Sequence, residues 1–363
     1  MTENKVCTSL PKHQRDLTID ILRGIAIFTM LCANVIGYVA PAESHPVWIR
    51  FYGSFAAPLF ILLAGYVASM GLQRKAYKFS YFLKRGLMVI LTAVLIDVLI
   101  WEIYPFTTFD VLYVIGLSMI LIYFFSRIGL YTKGIIIILF FSLPPVLQYF
   151  FGYTDYPTEF YLNGNLTTQV ENQTNILQHL FIDGWFPVFP WLGVAFLGTL
   201  FFNLKERYDN FKSYKLLIFS FIAMAAGGIG IYCYPFSHLL YERGAYNEIF
   251  YPPTTAYILL AIGVILFLFA VISRKQKFVI FKPLIIMGET SMFIYVLHTA
   301  FIQFIIIPLY INPGNEIPAG SFNESLIVYG LLTLACFIPS LIIHFIKRKW
   351  KINNFLFRFY FGG

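Results

Sequence analysis

Apolar residues along this chain come in long runs that are separated by short polar segments. A helix needs about 20 apolar residues to cross a hydrocarbon core of ~30 Å. Backbone groups in lipid must be paired within their own segment, so each run of this length is predicted to be a helix. The pattern therefore predicts an all-α fold, a polytopic membrane helical bundle of about ten transmembrane helices. The ten runs lie at about 17–40, 51–72, 86–105, 109–126, 134–152, 185–203, 216–235, 253–273, 283–308 and 325–346.

The composition supports a membrane protein and excludes several other classes. Of the 363 residues, 59% are hydrophobic and 12% are charged, whereas a soluble domain has about 25% charged residues. A disordered chain, a nucleic-acid-binding protein and an ordinary cytosolic enzyme are excluded on this ground. No soluble domain or internal repeat is recognised, so we expect one transmembrane domain over 1–363. It would have a short polar N-terminus at 1–16, without a cleaved signal peptide, and a basic C-terminus at 347–363.

The positive charges predict the orientation of this bundle in the cell membrane. If the N-terminus is cytoplasmic, 24 of the 26 Lys and Arg residues fall on the cytoplasmic side, and only Arg50 and Arg243 fall outside. Such an asymmetry is the positive-inside signal. It predicts that both termini are cytoplasmic and that the number of spans is even. The same rule explains the net charge of +8 without an acidic partner.

The first predicted helix carries unusual polar residues. A charged or polar side chain inside a span is costly and is therefore a functional candidate. Asp20 and Arg23 are three residues apart, so they share a helix face and are expected to form an ion pair near the cytoplasmic end. Asn34 follows about four turns later on a similar face. These groups either form a polar path through the bundle or make structural contacts between helices.

A histidine follows in the short loop between the first two predicted spans. An imidazole titrates near pH ~6.5, so His45 can accept and return a proton at neutral pH. The short connection allows His45 and Asn34 to face one cavity on the outer side. A solvated loop histidine is the alternative. Other polar groups in apolar runs are Asp97, Glu102, Glu289 and His298.

The predicted outer loops at 152–184 and 237–252 combine aromatic and carboxylate residues. This mixture suits binding of a sugar, and it equally suits the aromatic belt at a bilayer surface. The four cysteines are scattered and show no metal-ligand spacing, so neither a disulfide framework nor a metal site is expected. Nucleophile-elbow, Walker and dinucleotide-binding motifs are not recognised in the sequence.

Several motifs occur in one order along the chain and resemble the catalytic domain of the heparan-α-glucosaminide N-acetyltransferase family, within the transmembrane acyltransferase superfamily. The motifs are Asp20-x-x-Arg23-Gly24 with Met30 and Asn34, His45-Pro-Val-Trp48, Pro58-Leu-Phe-Ile-Leu-Leu-Ala-Gly65, Phe189-Pro190-Trp191-Leu192-Gly193, and Gly288-Glu-Thr-Ser291 with Tyr295-Val-Leu-His298. The last two are similar to bacterial members, and the expected location is therefore a bacterial inner membrane. The large lumenal region that precedes the membrane domain in the animal enzyme is not present in this sequence.

The resemblance implies an enzyme that moves an acetyl group from cytoplasmic acetyl-CoA to an amine or hydroxyl of a glucosamine-like sugar across the membrane. In this family an Asn near the outer end of the first helix acts with a His in the next loop. By resemblance, His45 is the general base and Asn34 polarises or positions the reacting centre. A route through an acetylated His45 is the alternative mechanism.

Further binding residues follow from the same resemblance. Trp48 would wall the site, and the substrate-binding set would also include Asp20, Arg23, Trp191 and His298. Lys84 and Arg85 are expected to bind the anionic acetyl-CoA at the cytoplasmic surface, with no metal. The predicted partners are acetyl-CoA, a glycan or sugar acceptor and the lipid bilayer, without nucleic acid; the sequence also allows a homodimer.

Two other functions are compatible with the residues. A secondary transporter of a small anion or a lipid-linked sugar could use a relay of ionisable groups, although the paired inverted halves of many transporters are not recognised here. A structural or assembly subunit would tolerate the loss of both His45 and Asn34. The relay would consist of Asp20, Arg23, Asp97, Glu289 and His298.

Overall fold

The computed structural model describes residues 16–153, 160–163, 175–207, 213–233, 253–275, 279–311, 318–350 and 354–362. Residues 1–15, the predicted outer loop at 237–252 and most of the loop at 152–184 lie outside these ranges. The described helices are α1 (Leu17–Val39), α2 (Val47–Gly53), α3 (Ala56–Lys75), α4 (Phe79–Ile96), α5 (Val111–Phe125), α6 (Leu130–Phe151), α7 (Ile176–Gln178), α8 (Val188–Arg207), α9 (Ser213–Cys233), α10 (Thr255–Lys275), α11 (Lys282–Glu289), α12 (Ser291–Phe301), α13 (Ile307–Tyr310), α14 (Phe322–Lys349) and α15 (Phe355–Phe361).

The predicted all-α, polytopic architecture is confirmed. Within the described ranges there is no β-strand, and an isolated bridge joins Ile103 to Tyr161. Each of the ten predicted runs coincides with helical structure. The runs at 86–105 and 109–126 correspond to the shorter helices α4 and α5, with 18 and 15 residues. In the part of the chain that the structure describes, eight helical segments are long and apolar enough to cross a membrane: Leu17–Val39, Val47–Lys75, Leu130–Phe151, Val188–Arg207, Tyr214–Cys233, Thr255–Arg274, Ser291–Tyr310 and Phe322–Lys349.

Helix α1 lies at the centre of the bundle. In the most apolar stretch of 18 residues in α1, 72% of the residues are buried, whereas only 11% are buried in the corresponding stretch of α6. Helices α3, α11 and α14 all pack against α1. The polar side chains of α1 are therefore surrounded mainly by other helices, which is the environment in which a membrane protein can hold such groups.

Two helix pairs of this core cross at glycines, where the backbones come into contact. A Cβ atom added to Gly24 of α1 would lie 2.0 Å from the Leu284 carbonyl oxygen, and one added to Gly288 of α11 would lie 1.9 Å from the Asp20 carbonyl oxygen. Helices α3 and α8 meet in the same way at Gly65 and Gly198. Small residues allow helices to approach closely in lipid, where van der Waals packing replaces the hydrophobic effect as the driving force.

We call the end of the bundle at which α3, α5 and α8 finish the basic end, and the opposite end, at which α1 finishes, the far end. Arg74, Arg127 and Lys205 lie at the basic end. It is the end that the charge pattern predicts to be cytoplasmic.

Three π-turns lie at the far end, at Asp97–Trp101, His179–Asp183 and Ile302–Ile306. Single π-turns inside helices often occur at functional sites because they redirect side chains. In the first, Asp97 accepts a hydrogen bond from the Tyr113 hydroxyl at 2.5 Å, and the Trp101 ring stacks on that of Tyr38. The far end therefore contains both the irregular backbone and much of the buried polar chemistry.

The predicted basic C-terminus contains a helix that folds back against the bundle. Helix α15 follows α14, and the Tyr360 hydroxyl lies 3.1 Å from Oγ1 of Thr92 in α4. The ring of Phe361 packs 5.2 Å from that of Phe293 in α12. Residues 355–361 thus form part of the packed structure rather than an extended tail.

The close helix crossings predict different responses to two neighbouring substitutions in α9. A Cβ atom at Gly227 would lie 2.4 Å from the Leu260 nitrogen of α10, whereas one at Gly228 would enter open space. Gly227→Ala should destabilise the protein by about 1–3 kcal/mol through overpacking. Gly228→Ala should be neutral or stabilising by up to ~1 kcal/mol, because alanine favours the helix. Thermal unfolding of both variants in detergent measures the difference, and equal midpoints would contradict the crossing role of Gly227.

Candidate active site

The centre of the candidate site is a hydrogen bond between α1 and α12. Nδ2 of Asn34 lies 3.0 Å from Nε2 of His298, which is fully buried. Asn34 follows Gly24 by ten residues, and His298 follows Gly288 by ten residues. The close contact between the two glycines therefore brings the two side chains to the same depth in the bundle.

The hydrogen bond of the other ring nitrogen, Nδ1, shows which nitrogen of His298 carries the proton. Nδ1 lies 3.1 Å from the Ile294 carbonyl oxygen, and a carbonyl can only accept a hydrogen bond. Nδ1 therefore carries the proton, and Nε2 accepts the hydrogen bond that the Asn34 amide donates. This arrangement fixes the orientation of the Asn34 carboxamide, leaving its oxygen and its second N–H directed away from His298.

The polar chain continues from His298 towards the start of α5. The ring of Tyr295 lies 5.2 Å from that of His298, and its hydroxyl donates a hydrogen bond to Oδ2 of Asp110 at 2.7 Å. Oδ1 of Asp110 accepts from the Val111 amide at 2.6 Å, which caps α5. The Asp110 carboxylate therefore accepts hydrogen bonds from both α12 and α5. Asn34, His298, Tyr295 and Asp110 thus connect three helices at the far end.

His45 lies in the connection between α1 and α2, also at the far end. It is buried, and its ring packs 6.0 Å from that of Phe322 at the start of α14. The Gly320 amide donates to the Val39 carbonyl at 2.9 Å, which fixes the segment before α14 to the end of α1. Trp48 packs edge-on against the same Phe322 ring at 6.3 Å, and its side chain is exposed. The pairing of His45 with Asn34 in one reaction stays a prediction.

The predicted ion pair between Asp20 and Arg23 is confirmed, with 3.8 Å between the Asp20 Oδ1 and Arg23 Nη1 atoms. Asp20 is buried, and its backbone carbonyl lies at the Gly288 crossing. The pair therefore lies near the basic end, several turns from Asn34. Its role in substrate binding stays a prediction.

Trp191, the predicted binding residue in the FPWLG motif, is fully enclosed. Its ring packs 5.2 Å from Phe186 and 6.5 Å from Tyr257. Phe189 has an extended conformation, so the regular part of α8 begins at Pro190, and proline suits the first position of a helix. In this position Trp191 packs the bundle, and contact with a substrate stays a prediction.

The predicted acetyl-CoA-binding residues lie in the first part of α4. Lys84 is exposed, and Arg85 donates from Nη1 to the Tyr81 hydroxyl at 3.0 Å. They are separated from Asn34 by much of the depth of the bundle. Contact between these side chains and an acetyl donor stays a prediction.

Several polar contacts of the bundle could not be predicted from the sequence. A role for Tyr295 or Asp110 does not follow from it, because a Tyr in an apolar run and a residue next to a helix start are both common. Glu289 is a candidate in the sequence, but its partner His344, at 3.0 Å, lies 55 residues away. His179 and Asp183 form a buried pair at 3.3 Å across a π-turn. Residues four apart are also neighbours in an ordinary α-helix, so the sequence does not reveal the π-turn. Within the described ranges, no group of three or more His, Cys, Asp or Glu side chains could hold a metal ion.

The fold and the amide–imidazole pair between α1 and α12 define a multi-pass membrane protein with a polar site between its helices. A family model described as heparan-alpha-glucosaminide N-acetyltransferase, catalytic, matches residues 15–233, more than half of the chain. The chain belongs to this family, as its motifs predicted. The matched segment includes Asn34 and His45, whereas Tyr295 and His298 lie beyond it. A comparison with curated proteins finds no match.

The capping role of Asp110 predicts a graded effect on stability. Asp110→Ala removes the acceptor for the Val111 amide and should destabilise the protein by about 1 kcal/mol. Asp110→Asn preserves a capping oxygen and should lose less. Thermal unfolding of both variants in detergent measures the difference, and equal midpoints would contradict the capping role.

Proposed function

We propose that the protein transfers an acetyl group from acetyl-CoA to an amine or hydroxyl of a glucosamine-like sugar. The observation that carries this proposal is the coincidence of the family match with the site geometry. The matched segment contains the two candidate groups Asn34 and His45, and the carboxamide of Asn34 is held by the buried His298. The whole described chain, including α11 to α14, would then act as one transmembrane domain in a bacterial inner membrane.

The proposed sidedness follows from charge. Acetyl-CoA is anionic and cytoplasmic, and the basic end of the bundle is predicted to face the cytoplasm. Lys84 and Arg85 would attract the nucleotide there. Asn34 and His45 lie at the far end, so the acetyl group would reach them through the bundle, while the sugar would approach from the other side.

Asn34 is proposed to stabilise the developing oxyanion. One amide hydrogen is used by His298, and the other can be donated to the oxygen of the acetyl carbonyl as the acceptor attacks. A donor that is fixed before the reaction needs no reorganisation when charge develops, which makes it effective. His298 is thus a positioning residue, because it acts through Asn34.

His45 is proposed to be the general base. The acceptor nitrogen or oxygen forms a bond to the acetyl carbonyl carbon, and the bond from this carbon to the sulfur of coenzyme A breaks. His45 takes the proton that the acceptor loses, and the thiolate leaves with the bonding electron pair. General-base catalysis typically contributes about 10²–10⁴-fold.

An aromatic pair near Asn34 supports a sugar as the acceptor. Tyr38 lies one turn beyond Asn34 on α1, and its ring stacks on Trp101 with centroids 6.4 Å apart. Both rings are partly exposed. Such rings can pack against the apolar face of a pyranose, while the exposed Glu102 next to Trp101 can accept hydrogen bonds from its hydroxyl groups.

The proposal is tested with purified protein in liposomes. Acetyl-CoA labelled in its acetyl group is supplied on one side and glucosamine on the other, and the products are analysed by mass spectrometry. We expect labelled N- or O-acetylated sugar with release of free coenzyme A. Movement of a solute across the membrane without a covalent product would support transport instead. If neither acetylated sugar nor free coenzyme A is formed, acetyl transfer to glucosamine is rejected.

His45→Gln should reduce turnover to background, because glutamine cannot accept the proton. The matched control is His344→Gln, which changes a histidine that contacts Glu289 instead of the candidate site. This control should retain turnover close to that of the wild type. Wild-type turnover by a folded His45→Gln variant would remove the assignment of the base.

The positioning role of His298 predicts a graded series. His298→Ala should lower kcat by up to about 10²-fold with little change in the KM for acetyl-CoA, because the Asn34 donor is no longer oriented. His298→Gln supplies a new acceptor for the Asn34 amide and should restore part of this loss. Steady-state kinetics on both variants separates the two parameters. Equal kcat values in the two variants would contradict positioning through a hydrogen bond.

A further inference from the structure

A cavity of about 370 Å³ opens at the basic end between α3, α6 and α8. Five of its lining residues are polar and two are aliphatic. The amide groups of Gln73 and Asn203 are joined across it by a hydrogen bond of 2.6 Å. The lining residues are Gln73, Ile128, Leu130, Lys133, Asn203, Glu206 and Arg207.

The lining contains two cationic side chains, Lys133 and Arg207, and one acidic side chain, Glu206. The Glu206 carboxylate forms an ion pair with Arg74, which is not among the lining residues. Lys133 and Arg207 are therefore the lining groups that can bind an anion by charge.

Lys133 is the most informative member of the lining. Its side chain is buried, with a relative exposure of 3%. One Nζ–H donates to the Ser126 carbonyl at 3.0 Å. An ammonium group has three donors, and a buried charge is costly unless it is paired with an opposite charge. A ligand phosphate in the cavity would supply that charge.

The start of α6 adds further donors to the same cavity. Leu130 begins the first turn, and Gly129 at the N-cap has no side chain to bind the free amides of this turn. The first-turn amides and the helix dipole favour an anion at this position. Two independent elements of the cavity thus have the same preference: the cations and the start of the helix.

We infer that this cavity binds the phosphate of an anionic phospholipid headgroup, with Lys133 and Arg207 as its charged ligands. The lipid source is geometrically accessible, because α6 exposes a stripe of large apolar side chains that begins beside the cavity, at Tyr131, Ile135, Ile138 and Leu139. Basic pockets between helices at the cytoplasmic surface bind anionic lipid headgroups in this way. The inference does not rest on acetyl transfer.

The test uses the delipidated full-length protein in a neutral detergent. One arm titrates short-chain phosphatidylglycerol, with phosphatidylcholine as the zwitterionic control, and the other titrates coenzyme A, with pantetheine as the phosphate-free control. Binding is followed as the rise in the thermal unfolding midpoint with ligand concentration. Stabilisation by phosphatidylglycerol but not by phosphatidylcholine supports the site, whether or not coenzyme A also stabilises the protein at the proposed acetyl-CoA site. A lack of stabilisation by phosphatidylglycerol overturns the inference.

Variants determine whether the binding occurs in this cavity. Lys133→Met and Arg207→Gln should each lower the affinity for phosphatidylglycerol about tenfold, as expected for one lost charged hydrogen bond. Arg207 is exposed, so this variant should fold even if the buried Lys133 proves necessary for folding. The matched controls are Lys75→Gln, for an exposed cation at the same end, and Lys205→Met, whose Nζ contacts the Tyr66 hydroxyl outside the cavity. The inference is overturned if phosphatidylglycerol does not stabilise the protein, or if Arg207→Gln weakens its binding no more than Lys75→Gln does.

Discussion

The close contact between α1 and α11 at Gly24 and Gly288 is the constraint on which the candidate site depends. At this crossing each glycine leaves room for a backbone carbonyl of the other helix. A larger side chain on either helix would separate them or shift one along the other. Asn34 follows Gly24 by ten residues, and His298 follows Gly288 by ten residues. The geometry of the hydrogen bond between them therefore depends on the contact between two glycines, which carry no functional group.

Much of the fold could be predicted from the sequence, because lipid imposes a simple rule. Backbone groups must be paired within each span, and this requirement turns every apolar run into a helix. The ion pair between Asp20 and Arg23 was predictable for a similar reason, since three residues of separation bring both groups to one helix face. In each case the information is local in the chain.

The partners of the buried polar groups could not be predicted, because they depend on which helices are neighbours. Asn34 was a candidate as a lone amide in an apolar run, but its partner is 264 residues away. The same is true of Tyr295 and Asp110, which meet across 185 residues. A sequence shows that a polar residue in a span needs a partner, whereas the packing of α1 against α11 and α12 determines which partner it has. The family motifs make Asn34, His45 and His298 candidates, but they do not show that His298 is the side chain that orients the Asn34 amide.

The division of the Asn34–His298 pair between two parts of the chain has a consequence for protein engineering. The segment that matches the family ends at residue 233, yet α11, α12 and α14 cover α1 from beyond this boundary. A chimera that joins residues 15–233 to the remaining helices of another relative would have to preserve Gly288 together with His298. Without them, the transplanted Asn34 would be enclosed beside an unsuitable neighbour, and the amide would lose its orientation even if every motif of the matched segment were retained.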